Sequence, residues 1–314
     1  MVPPFSGLDD IDYLTNENIM DVDYLPPHLI IIGGSYIGLE FAQMYRRFGS
    51  QVTVVEKGSR IIQREDEDVS STVMEVLQKE GVIFRLNSEC ISPQKQGGEI
   101  VVKLDCKDDL KEVRGSHLLL AVGRTPNTQN LGLDKAGIEV DDRGFIVVDD
   151  KLQTTVPGIW ALGDCNGQGA FTHTSYNDYE IVAANLLDED PRRVSDRILT
   201  YGLFVDPPLG RVGMTENQAR ESARNVLIGK MPMTRIGRAV EKGQTDGFMK
   251  ILVDADSKEI LGAAIIGLNG DEVIHSITDI MYAKVPYTVI QRAMHIHPTV
   301  SELIPTMLGD LKPL

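Results

Sequence analysis

The spacing of apolar positions changes period twice within residues 28–56. Leu29-Ile30-Ile31-Ile32 is an unbroken apolar run after His28, the pattern of a strand buried on both faces. Leu39, Phe41, Ala42, Met44, Tyr45 and Phe48 then recur at helical spacing up to Gly49, a helix stop. A second run, Val52-Thr53-Val54-Val55, ends in Glu56. Between the first run and the helix stands Gly33-Gly34-Ser35-Tyr36-Ile37-Gly38, so the order is strand, glycine turn, helix, strand, acid. The pattern continues with an amphipathic helix from Asp68 to Lys79 and a strand at Val82–Leu86. A β excursion at Glu99–Asp105 and a buried strand from His117 into Gly123 follow.

Each glycine in that turn has a physical task in a dinucleotide site. In the turn Gly33–Gly38, Gly34 included, Gly33 permits the tight bend, Ser35 holds the position where backbone approaches a pyrophosphate, and Gly38 lets helix and strand pack closely. Ser35 departs from the ideal by placing a small side chain where glycine is usual. The unpaired amides and positive dipole end of the helix face the phosphates. Glu56 at the second strand's tip accepts hydrogen bonds from ribose hydroxyls and repels a 2′-phosphate, which favours NADH over NADPH, although Lys57 and Arg60 stand close by. A merely structural glycine turn is the alternative.

The second half carries two further signals. Ile159-Trp160-Ala161-Leu162 reads as a short strand running into Gly163-Asp164, with a helix from near Thr174. An aspartate there suits the hydroxyls of a ribityl or ribose chain, and the residues alone leave equal room for a surface aspartate in a turn. Near the end, 294-MHIHPTVSELIPT-306 places His297 before a proline and Glu302 about one and a half helical turns on. That spacing suits a histidine base with an orienting acid, or a capped helix start in an interface. Residues 201–266 read as an antiparallel sheet of strands with alternating polarity, broken at Asp254–Ser257. Helices near 216–223, 270–284 and 300–309 cover it.

Bulk properties narrow the classes. The 314 residues, 42% hydrophobic, suffice for two domains with cores of their own. A formal charge of −15 argues against nucleic acid or an anionic membrane as partner. No run approaches the roughly 20 apolar residues of a membrane span, and MVPPFSGLDD does not have the form of a signal peptide, so a cytoplasmic location is expected. Cys90, Cys106 and Cys165 show neither CxxC nor paired metal-ligand spacing, and reduced thiols are expected. No residue is singled out as a metal ligand.

Taken in order, GGSYIGLE, VTVVE, AVGRTPN, GIWALGDC, RVGMTENQA and HIHPTVSE resemble the pyridine nucleotide-disulfide oxidoreductases of the class containing dihydrolipoamide dehydrogenase, glutathione reductase and mercuric reductase. The resemblance covers essentially the whole chain. It implies an α/β flavoprotein homodimer: a connector at 1–25, a Rossmann-type NAD(P)H-binding domain at 26–150, part of an FAD domain at 151–195, and an α+β interface domain at 196–314. It implies FAD at Gly163 and Asp164, with the backbone around Thr172 and His173 facing the flavin's pyrimidine edge. Tyr36 resembles the ring that gates the nicotinamide pocket, Glu40 the carboxylate beside the carboxamide, and Gly123 lies in the family's GRTPN turn. His297 and Glu302 resemble the acid/base pair, and a small-molecule electron acceptor completes the reaction. The family's redox disulfide joins two cysteines four residues apart in an N-terminal stretch. No such pair occurs here, so a truncated form with weak flavin affinity and no disulfide reduction is expected. A non-catalytic nucleotide-binding dimer module is the alternative.

Overall fold

A computed structural model describes residues 1–105 and 111–314, and the side chains of all of these except Cys90 and Asp105; Cys106 lies outside the described residues. The chain forms two compact units, one built from residues 1–123 and 199–314 and the other from 124–198.

The first unit begins with the dinucleotide-type pattern. Strand β1 (His28–Ile32) leads through the glycine turn into helix α1 (Tyr36–Phe48), then into β2 (Gln51–Val55), helix α2 (Glu67–Lys79) and β3 (Ile83–Arg85). A hairpin excursion, β4 (Glu89–Gln96), β5 (Glu99–Asp105) and β6 (Glu112–Gly115), precedes β7 (His117–Leu120). β1, β2, β3 and β7 make a parallel sheet in the order β3-β2-β1-β7, while β4, β5 and β6 form a separate antiparallel sheet. The apolar runs predicted this: four of five positions in both β1 and β2 are buried, as a parallel sheet covered on both faces requires. Gly49, in the left-handed conformation, ends α1.

The 124–198 unit holds a one-turn helix α3 (Leu133–Ala136) and the 16-residue helix α4 (Thr172–Leu187). The strand expected at Ile159–Leu162 is not formed. Gln153 and Trp160 share a single bridge, and the Ala161 amide bonds the Leu152 carbonyl. Among the described residues this short apolar stretch has no neighbouring strand long enough to extend a ladder. Helix α4 starts two residues before the expected Thr174.

The remainder of the first unit is a six-stranded antiparallel sheet made of β8 (Thr200–Leu203), β9 (Leu209–Gly213), β10 (Val226–Pro232), β11 (Phe248–Asp254), β12 (Ile260–Ile266) and β13 (Lys312–Pro313). Its order is β13-β10-β11-β12-β9-β8. Helices α5 (Glu216–Glu221), α6 (Gly237–Lys242), α7 (Gly270–Tyr282), α8 (Thr288–Arg292) and α9 (Ile304–Leu308) accompany it, and α9 follows a 3-10 turn at Ser301–Leu303. The alternating polarity read into these strands does not hold in the middle of the sheet, where all seven positions of both β11 and β12 are buried. α7 packs on β9 and β12, and Phe248, Ala264 and Ile266 join one apolar core with Val69 and Val73 of α2 and Leu39 of α1. Among the described residues no helix is long and apolar enough to cross a membrane.

Candidate functional site

The glycine turn after β1 is held from both directions. Gly33 has φ +113°, and a Cβ there would stand 2.4 Å from the Ala121 carbonyl oxygen. A Cβ on Gly38 would stand 2.2 Å from the Gly33 carbonyl oxygen, so the close crossing of α1 over the turn needs glycine at both positions. Ser35 is the extended N-cap residue; its exposed side chain makes no capping bond, and the first-turn amides of α1 face outward without intrahelical acceptors. Ile37 is exposed beside them. Glu56 accepts from the Gly34 amide at 2.8 Å through one oxygen, and from the Gly58 amide at 2.8 Å and Gln63 Nε2 at 3.2 Å through the other. The carboxylate is thereby fixed at the tip of β2, next to the turn it would serve.

Two side chains of α1 reach toward the second sheet. Tyr36 donates its hydroxyl to Glu65 Oε1 at 2.8 Å. Burial and the Glu65 charge push its phenol well above the usual range. Glu40 accepts from the Phe204 amide at 2.9 Å, and burial raises its carboxyl even though that bond opposes the shift. Gly123, at the exit of β7, has φ +138° and accepts from the N-terminal amine at 3.0 Å.

Sequence reasoning missed the buried ionic network beyond Tyr36. Glu65, 1% exposed, also accepts from the Tyr201 hydroxyl at 2.6 Å, and Arg211 bonds it through Nε at 3.1 Å and a terminal nitrogen at 2.9 Å. Burial and the Glu65 charge push the Tyr201 phenol up to about 12. Arg211 also pairs with Asp66 at 2.9 Å. The Lys250 ammonium lies 2.8 Å from Asp66, 2.8 Å from Asp68 and 3.2 Å from Glu216, filling the centre of a carboxylate trio that would otherwise suit a cation. Burial pushes Asp66 and Asp68 up, but Arg211 acting on Asp66, Lys230 on Asp68 and Lys250 on both outweigh it, so both carboxyls lie below the usual range. The only local signal was the acid run Glu65–Asp68, which reads as a solvated helix start.

In the 124–198 unit, Gly163 and Asp164 open a 3-10 turn, and Asp164 is ion-paired with Arg124. Asp178, fully buried and not anticipated, organises the turn. It accepts from the Gly163 amide and from Asn166 Nδ2, both at 2.8 Å, and pairs with Arg197. Thr172 and His173 are the exposed first two residues of α4, and the His173 ring stacks on Phe171 at 5.2 Å.

His297 and Glu302 are brought together as their spacing implied. Nδ1 lies 2.8 Å from Oε2 and 3.1 Å from Oε1, with the histidine 80% exposed and the glutamate 15%. Thr299 Oγ1 accepts from the Glu302 amide at 3.3 Å. With its proton on Nδ1 and donated to Glu302, the imidazole presents Nε2 as its basic nitrogen.

A parallel sheet with a glycine turn and an acid at the neighbouring strand tip is followed in the chain by an antiparallel sheet and a His–Glu pair. The profile of the pyridine nucleotide-disulphide oxidoreductases matches residues 1–178, and that of their dimerisation domain matches residues 200–308; the chain belongs to this family. It is 36% identical over 321 aligned residues to the Escherichia coli (strain K12) protein named Probable pyridine nucleotide-disulfide oxidoreductase RclA, covering 99% of this chain and 70% of that one. It is 32% identical to a mercuric reductase of Streptomyces lividans, covering 96% of this chain and 64% of that one. Among solved structures, the HOCl-induced flavoprotein disulfide reductase RclA from Escherichia coli superposes with a TM-score of 0.92 at 36% identity, covering 98% of this chain and 71% of that one. LpdA from Mycobacterium tuberculosis gives 0.90 at 25%, covering 98% and 67%. The chain spans between 44% and 70% of the length of the curated relatives it matches.

Proposed function

We propose that the chain binds NADH at the turn Gly33–Gly38 and serves an FAD-dependent transfer of reducing equivalents to a disulfide or another small acceptor. The observation that carries this is the Glu56 carboxylate, bonded to the Gly34 amide and set at the tip of β2 beside the open end of α1. A ribose diol suits that carboxylate and a 2′-phosphate does not, which favours NADH. Bound FAD would accept a hydride from the nicotinamide and pass two electrons on. In this reading residues 26–150 serve the nicotinamide nucleotide, 151–195 the flavin and 196–314 the subunit interface. Tyr36 walls the nicotinamide side and Glu40 takes the carboxamide.

The residues of the 124–198 unit fit the flavin. Asp178 shapes the turn that leaves Asp164 half-exposed for a ribityl chain, and the amide-rich start of α4 at Thr172 and His173 suits an electron-rich ring edge. His297, oriented by Glu302, holds and returns a proton for the acceptor through Nε2. No two of the cysteines stand four residues apart, so disulfide reduction by these 314 residues alone is not expected.

The test is anaerobic. FAD is expected to wash off on gel filtration, but in FAD excess NADH should bleach the visible flavin band faster than it does in free solution, and Asp164→Ala should remove that acceleration. Bleaching no faster than in free solution at any FAD concentration would sink the flavin assignment.

The dimerisation profile covers the segment that leaves Met294 99% and Ile296 80% exposed next to His297. In the proposed cytoplasmic homodimer a second copy covers these apolar side chains. Met294→Glu together with Ile296→Glu is therefore expected to sediment as a monomer; a double variant that remains dimeric would place the interface elsewhere.

A further inference from the structure

Tyr36 is the first residue of α1, so its ring stands at the helix end that faces the phosphates in the proposed nucleotide site, and its hydroxyl is committed to Glu65. The segment from Glu56 to Glu65 is a strap stitched to the glycine turn. Glu56 holds the Gly34 amide, the Ile62 amide donates to the Gly34 carbonyl at 2.8 Å, and the Glu65 amide donates to the Ile62 carbonyl at 2.8 Å. At the far end of the strap, the Glu65 carboxylate is gripped from the six-stranded sheet by Tyr201 of β8 and Arg211 of β9. The Tyr36 and Tyr201 rings meet edge to face at 5.8 Å, and both hydroxyls donate to the same oxygen of Glu65.

We propose that Glu65 is a positioning residue that latches Tyr36, and that this latch sets how readily the wall at the start of α1 yields to the nicotinamide end of the nucleotide. The inference rests on the reading of Tyr36 as the nicotinamide-side ring. To swing aside, Tyr36 gives up its hydrogen bond to a buried carboxylate, a bond stronger than one between neutral groups, together with its hydroxyl contact to Tyr201. Glu65 keeps Tyr201 and Arg211 when it does so, and opening leaves no orphaned charge. The shared oxygen therefore makes the latch reversible. It also ties nucleotide entry to the second sheet, because a donor on β8 competes with Tyr36 for one acceptor.

The latch is read as the ratio of NADH to ADP-ribose affinity on the full chain by calorimetry. ADP-ribose occupies the turn and Glu56 without a nicotinamide, so a general loss of structure moves both ligands together and the latch moves only one. Tyr36→Phe keeps the ring and removes the bond; NADH is expected to bind about three- to tenfold tighter with ADP-ribose unchanged. Tyr201→Phe removes the competing donor, so NADH weakens by about twofold. In the Tyr36→Phe background, Tyr201→Phe leaves the ratio where it was. An unchanged ratio in Tyr36→Phe, weaker NADH there, or a Tyr201→Phe effect that persists in that background overturns the latch. A wild-type chain that binds neither ligand overturns the nucleotide-site reading and the latch with it; binding of both with an unmoved ratio overturns the latch alone.

Discussion

Arg211→Met is expected to lower the unfolding free energy of the first unit by about 3–5 kcal/mol, equivalent to a fall of about 10 °C in Tm for a body of this size. Arg211 is 1% exposed, as are Glu65 and Lys250, and it bridges Glu65 and Asp66. Without it the Glu65 carboxylate keeps only two phenolic donors and loses its counter-ion in a place water does not reach. The same network dictates a pH response. Asp66 and Asp68 carry depressed values, so their contribution is present above the unfolded carboxylate range, near pH 4, and is lost as pH falls through their lower folded values. Burial pushes Lys250 down, but Asp66 and Asp68 outweigh it and hold the ammonium above its usual value. Its contribution is present below about pH 10 and is lost as pH rises through the folded value. Thermal melts of wild type and variant from about pH 2 to about pH 12 span both limbs and check the acid and the alkaline loss. A variant within about 1 kcal/mol of wild type would show that the network is not a major source of stability.

Gly38→Ala is expected to lower NADH affinity by at least about tenfold, corresponding to about 1.4 kcal/mol. The added Cβ would lie 2.2 Å from the Gly33 carbonyl oxygen and 3.4 Å from Ala121 Cβ. The clash is with backbone, so α1 must retreat from the turn, and its amides leave the place where the phosphates of a bound nucleotide would be held. The same crowding is expected to cost about 1–3 kcal/mol of stability. Gly237→Ala is the control: a Cβ at the start of α6 meets nothing within 4 Å, and affinity and melting should stay at wild-type values. Calorimetric titration with NADH reads both variants, and a Gly38→Ala protein that binds as wild type would remove the turn from the nucleotide site.

What the sequence made legible was local. The runs at 29–32 and 52–55, the glycines between them and Glu56 fall within 28 residues, and each follows from period, turn chemistry or strand end. His297 and Glu302 stand five residues apart and meet for the same reason. The network that ties α1 to the second sheet was not legible. Glu65 and Arg211 are 146 residues apart, and Lys250 sits in a strand whose neighbours read only as apolar. No local spacing marks a pair made by two sheets packing together. Asp178 was hidden because it lies inside helix α4, facing the preceding turn. The apolar run at Ile159–Leu162 looked like a strand because composition reports burial and cannot report whether a ladder partner exists. The short helices α6 and α8 carry too few residues to show a helical period.

The central claim is that a nicotinamide nucleotide lies on the Gly33–Gly38 turn with its ribose on Glu56. Calorimetric titration of the wild-type chain with NADH and NADPH at equal ionic strength tests it most directly. One-to-one NADH binding at least about tenfold tighter than NADPH is predicted, with the difference lost in Glu56→Ala. Equal affinities, tighter NADPH, or a preference that survives Glu56→Ala would contradict it.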